Sequence, residues 1–126
     1  MDLEKLLRKT DWSKINFAAL SDRTLDKYVA MIVFRQEPHF CSLCVPFEPP
    51  YYTTDLAASE LLRTRMRELG WREMSTPQMD NNHVYFHRTR PKPQMAYASD
   101  PNFFRALAIA ALSASVQTYS EAPHGV

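Results

Sequence analysis

The chain has 126 residues and a mass of 14.6 kDa, 45% of them hydrophobic and 12% aromatic, which is one domain's worth, able to bury about two-thirds of its unfolded surface. Fifteen Lys and Arg against fourteen Asp and Glu leave a formal charge of +1, so neither generic nucleic-acid binding through a basic surface nor mimicry of nucleic acid by an acidic one is implied. Two glycines, Gly70 and Gly125, cannot build a P-loop or a dinucleotide fingerprint, which need two or three in one short loop, so most nucleotide hydrolases and nicotinamide enzymes are excluded.

The opening MDLEKLLRKTDW mixes charge with apolar side chains and has no apolar run of the kind a signal peptide carries. Leu3, Leu6 and Leu7 predict a short amphipathic helix over residues 3–9. Residues 10–20, with Trp12, Ile15 and Phe17, read as a strap across the core. Ser21 is placed to cap a second helix, with Leu20 and Leu25 as its hydrophobic staple. Leu25, Tyr28, Val29, Ile32 and Val33 form one apolar stripe, and this helix is expected to end near Arg35.

Pro38, Pro46, Pro49 and Pro50 fall within residues 37–53, more prolines than a central strand accepts. A short edge strand over 39–45 and an extended loop are expected there. Thr54 is read as the cap of a third helix, with Asp55 in its first turn and Leu56, Leu61, Leu62, Met66 and Leu69 as its apolar face. Gly70 then suits the left-handed position after the helix. Three strands follow, over 71–75, 83–89 and 94–98, separated by the Asp80-Asn81-Asn82 cluster and by Pro91-Lys92-Pro93. Alternation puts Val84 and Phe86 on one face and His83, Tyr85 and His87 on the other. Asp100-Pro101 predicts a final helix start, with Asp100 as the cap and proline at the first helical position, and Phe103, Phe104, Leu107, Ala108, Ala111 and Leu112 supply a buried helix. Residues 103–116 are too short and Ala-rich to span a bilayer, so no membrane association is expected. Residues 117–126 read as a flexible tail.

The expected architecture is α+β: an antiparallel sheet of three to four strands packed between or against three to four helices, in one domain over residues 1–116. Two cysteines fit a reducing compartment, so a cytoplasmic location is expected.

Few residues point to chemistry. Cys41-Ser-Leu-Cys44, with His39 beside it and His83 and His87 downstream, invites a zinc reading. Two residues four apart on a strand are about 13 Å apart, so His83 and His87 cannot converge on one ion with both thiols. A site of both cysteines with one histidine stays open, but ordinary thiols in or near an edge strand are the expectation, with no metal or cofactor. His87-Arg-Thr89 matches half of a two-histidine phosphoesterase motif, but no second unit exists, and that chemistry needs one histidine as base and one as acid. The chain is therefore not expected to be an enzyme. One charge feature stands out. Between His83 and Ser99 there is no Asp or Glu, while Arg88, Arg90 and Lys92 lie close together and Tyr85 and Tyr97 offer aromatic surface. Tyr51 and Tyr52 add to it from the proline-rich loop. Tyr and Arg dominate interface energetics, so Tyr51, Tyr52, Arg88, Arg90 and Lys92 are the candidate binding residues. Arg63, Arg65, Arg67 and Arg72 read as an exposed helix face.

Three segments, NFAALSDRTLDKYVAMIV at 16–33, PYYTTDLAASELLRTRMRELGW at 50–71 and AYASDPNFFRALAIAALSA at 96–114, resemble the opening helix, the stretch leading into the central helix, and the closing strand and Ala-rich helix of the phage αβα-sandwich domain family. The resemblance covers roughly half the chain, in the family's order, through caps and apolar spacing. It implies a phage or prophage origin, a helix–sheet–helix layering and no established activity. By analogy with small phage accessory proteins, the expected function is to bind and inhibit a host protein complex, as anti-CRISPR and other counter-defence proteins do. The alternative is a sponge for a nucleotide signal, with the same cations and a stacking Tyr85 or Tyr97. A homo-oligomer is expected under that alternative, because one such layer offers few deep pockets.

Overall fold

Ser21 opens the second helix as expected: its hydroxyl accepts from the Thr24 amide, and Asp22–Tyr28 follow as α2. In the computed structural model, which describes residues 3–36, 48–77 and 81–120, α1 spans Leu3–Lys9. Two short 3-10 turns, Trp12–Lys14 and Phe17–Ala19, form the strap between these helices. Trp12 and Phe17 are buried there, and both rings pack on Tyr28 at 6.5 and 6.0 Å. The Trp12 indole donates to the Leu7 carbonyl at 2.9 Å, which fastens the strap to α1.

The second helix does not stay α-helical to its end. Val29–Val33 form a π-helical turn, and Arg35 takes a positive φ of 57° that terminates it. The widened turn still buries Val29, Ala30, Ile32 and Val33. Helix α3, Leu56–Glu68, is capped by Asp55, whose carboxylate accepts from the Ala58 amide at 2.9 Å. The cap is thus one residue later than Thr54, because carboxylates and hydroxyls compete closely for this position and Asp55 sits at the right offset. Gly70 ends α3 as predicted, with φ of 94°. The Trp71 amide reaches back to the Met66 carbonyl and the Gly70 amide to that of Arg67, both at 3.0 Å, the paired bonds of a Schellman motif. The expected apolar face of α3 is corrected. Leu62 and Met66 are buried with Ala58 and Ser59, whereas Leu56 and Leu61 are exposed.

The three strands are β1, Arg72–Pro77, β2, Asn82–Arg88, and β3, Gln94–Asp100. They form an antiparallel sheet in the order β1-β2-β3. The register places Phe86 between Glu73 and Ala96, and Val84 between Ser75 and Ala98; this face is turned inward. Helix α4, Phe103–Ser120, packs along β2 and β3. Asn102 caps it by accepting from the Phe104 amide at 3.0 Å. Asp100 accepts from the Asn102 amide instead, so Asp100-Pro101 forms the turn before the helix rather than its cap.

Every residue of α4 from 106 to 112 is buried, because α1, α2 and the π turn pack on the side of α4 away from the sheet. Alanines at 106, 108, 110 and 111 make that double contact sterically affordable. Of the two arrangements expected for the sheet, between helices or against them, the described residues show the second. The layers run sheet, then α4 with α3 beside it against β1, then α1, α2 and the π turn, and no described helix covers the outward face. Helix α4 also corrects the tail boundary. Residues 117–120 continue the helix, and the buried Tyr119 hydroxyl donates to the Ile32 carbonyl at 3.2 Å. The expected edge strand at 39–45, Cys41, Cys44 and residues 121–126 lie outside the described residues. No described helix is long and apolar enough to cross a membrane.

Candidate functional site

The outward side chains of the sheet follow from the same alternation that buries Val84 and Phe86. In register they form three rows: Arg72, His87 and Met95; Met74, Tyr85 and Tyr97; Thr76, His83 and Ser99. None of the nine is a carboxylate. Met74 and Met95 are 58% and 63% exposed and Tyr97 45%, large apolar groups that a monomer's surface does not usually gather. The Tyr85 and Tyr97 rings lie 4.7 Å apart between centroids. His83 stacks on the far side of Tyr97 at 5.8 Å, its Nδ1 2.6 Å from the Tyr97 hydroxyl.

Toward the β2–β3 turn this face dips into an open hollow of about 550 Å³, lined chiefly by apolar surface of Met74, Tyr85, Pro93 and Met95, with His87 and Thr89 beside them. Arg90 and Lys92 are exposed in the turn between Thr89 and Pro93, so they stand at its rim. Arg88 has a different position. Its Nε donates to Gln94 Oε1 at 2.6 Å and its guanidinium lies over the Trp71 ring at 4.4 Å. Arg88 is thus held in the framework beneath the hollow, and Arg90 and Lys92 are the cations that the structure presents outward.

The two tyrosines of the proline-rich loop are not part of this surface. Tyr52 is 2% exposed, stacked on Phe34 at 5.3 Å between centroids, which corrects its assignment as a binding residue. Burial, with Asp26 nearby, pushes its phenol up to about 12. Tyr51 is 53% exposed and lies under the Arg23 guanidinium at 3.9 Å. Thr53 of the same loop accepts from Asn102 at 3.1 Å, at the far end of β3 from the turn bearing Arg90 and Lys92, about 20 Å away along a seven-residue strand. The structure therefore keeps Tyr51 apart from the hairpin cations.

Arg63, Arg65, Arg67 and Arg72 do not act as one exposed cluster either. Arg63 grips Glu73 through two bonds of 2.7 and 2.6 Å and Glu60 through one of 2.9 Å. These carboxylates raise its pKa, the Glu73 bonds most strongly. Arg65 donates to the Val33 carbonyl at 3.2 Å. Among the described residues no three His, Cys, Asp or Glu side chains gather to hold a metal. His83 and His87 lie in outer rows of the sheet face, on either side of Tyr85.

Met74 and Met95 are the functional candidates that sequence reasoning passed over. Their signal is the alternation over residues 72–76 and 94–98, which puts each on the same face as Tyr85. Methionine at such positions reads equally as core until the opposite face is seen to be filled.

No family model and no curated protein sequence matches the chain. Among solved structures, it is similar to a phage protein from Bacillus cereus ATCC 14579, with a TM-score of 0.55 and 18% identity, over 80% of this chain and 91% of that one. The similarity is one of fold.

Proposed function

We propose that this chain is a non-enzymatic accessory protein of phage or prophage origin that binds a host protein and blocks the complex to which that protein belongs. The observation that carries the reading is the outward sheet face: exposed Met74, Met95 and Tyr97, no carboxylate among nine side chains, and Arg90 and Lys92 at its edge. Apolar anchors inside a charged rim are how specific protein interfaces are built. The fold likeness to a phage protein and the resemblance to phage accessory domains support the origin. Counter-defence is a setting that suits a small binding protein of phage origin.

The test is to install a photo-cross-linking residue at position 95, capture the bound protein in the bacterial cytosol, and measure its affinity for the purified chain by calorimetry. Arg90→Glu with Lys92→Glu is expected to weaken binding at least tenfold while leaving thermal unfolding unchanged. Unaltered affinity in that double variant removes the rim from the account.

A second reading has one observation in its favour, the tilted Tyr85 and Tyr97 pair beside a hollow of about 550 Å³, a size within the range of small-ligand sites. A nucleotide stacked there would raise the unfolding temperature in proportion to its concentration. A nucleotide panel that leaves the transition in place counts against it.

A further inference from the structure

The hollow has a composition that narrows the chemistry of its occupant. Its floor and walls are apolar and come from three strands at once: Met74 from β1, Tyr85 from β2, Met95 from β3, closed at one end by Pro93. Methionine is unbranched and polarizable, so two of them adapt to an inserted group and favour an aromatic one. The positive rim lies on one side only, at the turn, where Arg90 has no partner among the described residues. No carboxylate lies anywhere from residue 81 to 99.

We infer that the hollow receives one aromatic or long aliphatic side chain of a partner protein, with an Asp or Glu beside it meeting Arg90 and Lys92. This rests on the reading of the sheet face as the binding surface. Other occupants fit less well. A second copy offers no carboxylate among its nine outward side chains to meet Arg90 and Lys92, so pairing of these faces leaves both cations unmatched. A free nucleotide could bring its phosphate to the same two cations, but the mostly apolar lining with its two methionines suits an apolar side chain better than a ribose.

The experiment uses the full chain with ¹³C-methyl-labelled methionine. Met74→Leu and Met95→Leu, both at exposed positions, assign the two signals. The probes are a capped tripeptide Glu-Trp-Asp, its neutral counterpart Gln-Trp-Asn, and adenosine monophosphate. The expected result is a saturable shift of the Met74 and Met95 methyls with Glu-Trp-Asp, and none at Met66, which is fully buried. Gln-Trp-Asn binds at least fivefold more weakly at low salt, and Arg90→Gln with Lys92→Gln abolishes that difference.

Silence of both methyls with the tripeptides overturns the inference, as does equal affinity for the two. A shift with adenosine monophosphate alone transfers the hollow to a nucleotide. A shift with protein concentration alone transfers it to a second copy. If the captured host protein binds the sheet face while the tripeptides do not, the anchor is wrong and the sheet-face reading stands. If neither binds, both fall.

Discussion

Asp26 shows how a single carboxylate organises the helical side of the molecule. It is fully buried, and its oxygens accept from the Thr53 amide and hydroxyl at 3.0 Å each and from Arg23 at 2.8 Å. Arg23 goes on to the Pro49 carbonyl at 2.9 Å, so α2 holds the loop before α3 in place. Asp26→Ala strands the buried Thr53 amide, while the partly exposed Arg23 can return to water. The expected loss is about 2–3 kcal/mol, read from urea unfolding followed by circular dichroism. The sequence placed Leu25 and Val29 in the core on their spacing alone. It could not place Asp26, because the partner that makes its burial tolerable lies 27 residues away.

Two phenols carry a pH dependence. Burial, the main cause at both, pushes Tyr52 and Tyr119 up to about 12, against about 10 in an unfolded chain. Below about pH 10 both states hold the proton and stability is complete; between about pH 10 and 12 the unfolded chain releases it first, so stability falls. Urea midpoints at about pH 9 and about pH 11.5 are expected to differ in that direction. Tyr119→Phe should remove its own share of the alkaline loss, at a cost near neutral pH of about 1 kcal/mol for the lost bond to the Ile32 carbonyl.

Among the elements, α4 bears most of the packing and leaves least room for change. Ala108, Ala110 and Ala111 are completely buried between the sheet and the outer helices, so Ala111→Leu must displace neighbours on one side or the other. A destabilisation of about 1–3 kcal/mol is expected, seen as a lower thermal midpoint. Gly70→Ala tests a different device. Nothing lies within 4 Å of the added methyl, yet φ is 94°, so the expected cost of about 1 kcal/mol comes from backbone conformation alone. Periodicity and caps made most elements legible in the sequence: the boundaries of α1 and the end of α3 fall where spacing put them, and β2 lies one residue earlier than expected at each end. The π turn left no mark, since Val29, Ile32 and Val33 fit an ordinary helix equally well. The last turn of α4 was missed because Gln117 and Thr118 look polar, and only the fold reveals that Tyr119 is covered.

At the scale of the whole molecule, layering decides which surface is left over. Because α4 and α3 both pack on the same side of the sheet, the sheet has one face turned to the helices and one open to partners among the described residues. The sequence identified the carboxylate-free stretch around Arg90 and Lys92 and the aromatic pair Tyr85 and Tyr97, since alternation and charge are local properties. It joined Tyr51 and Tyr52 to them by residue type, and the fold separates them, one in the core and one at the other end of the sheet. Substitution of exposed residues on the sheet face should leave stability within about 0.5 kcal/mol while removing binding.

The most direct measurement compares Tyr97→Asp with Leu61→Asp for affinity toward the captured host protein. Both residues are exposed, one in the middle row of the outward face, on the edge strand β3, and the other on α3, away from it. The sheet-face account predicts at least a tenfold loss of affinity for Tyr97→Asp and an unchanged value for Leu61→Asp, with both variants still folded by circular dichroism at the temperature of the measurement. A Tyr97→Asp variant that binds as tightly as the parent, or a loss confined to Leu61→Asp, contradicts it.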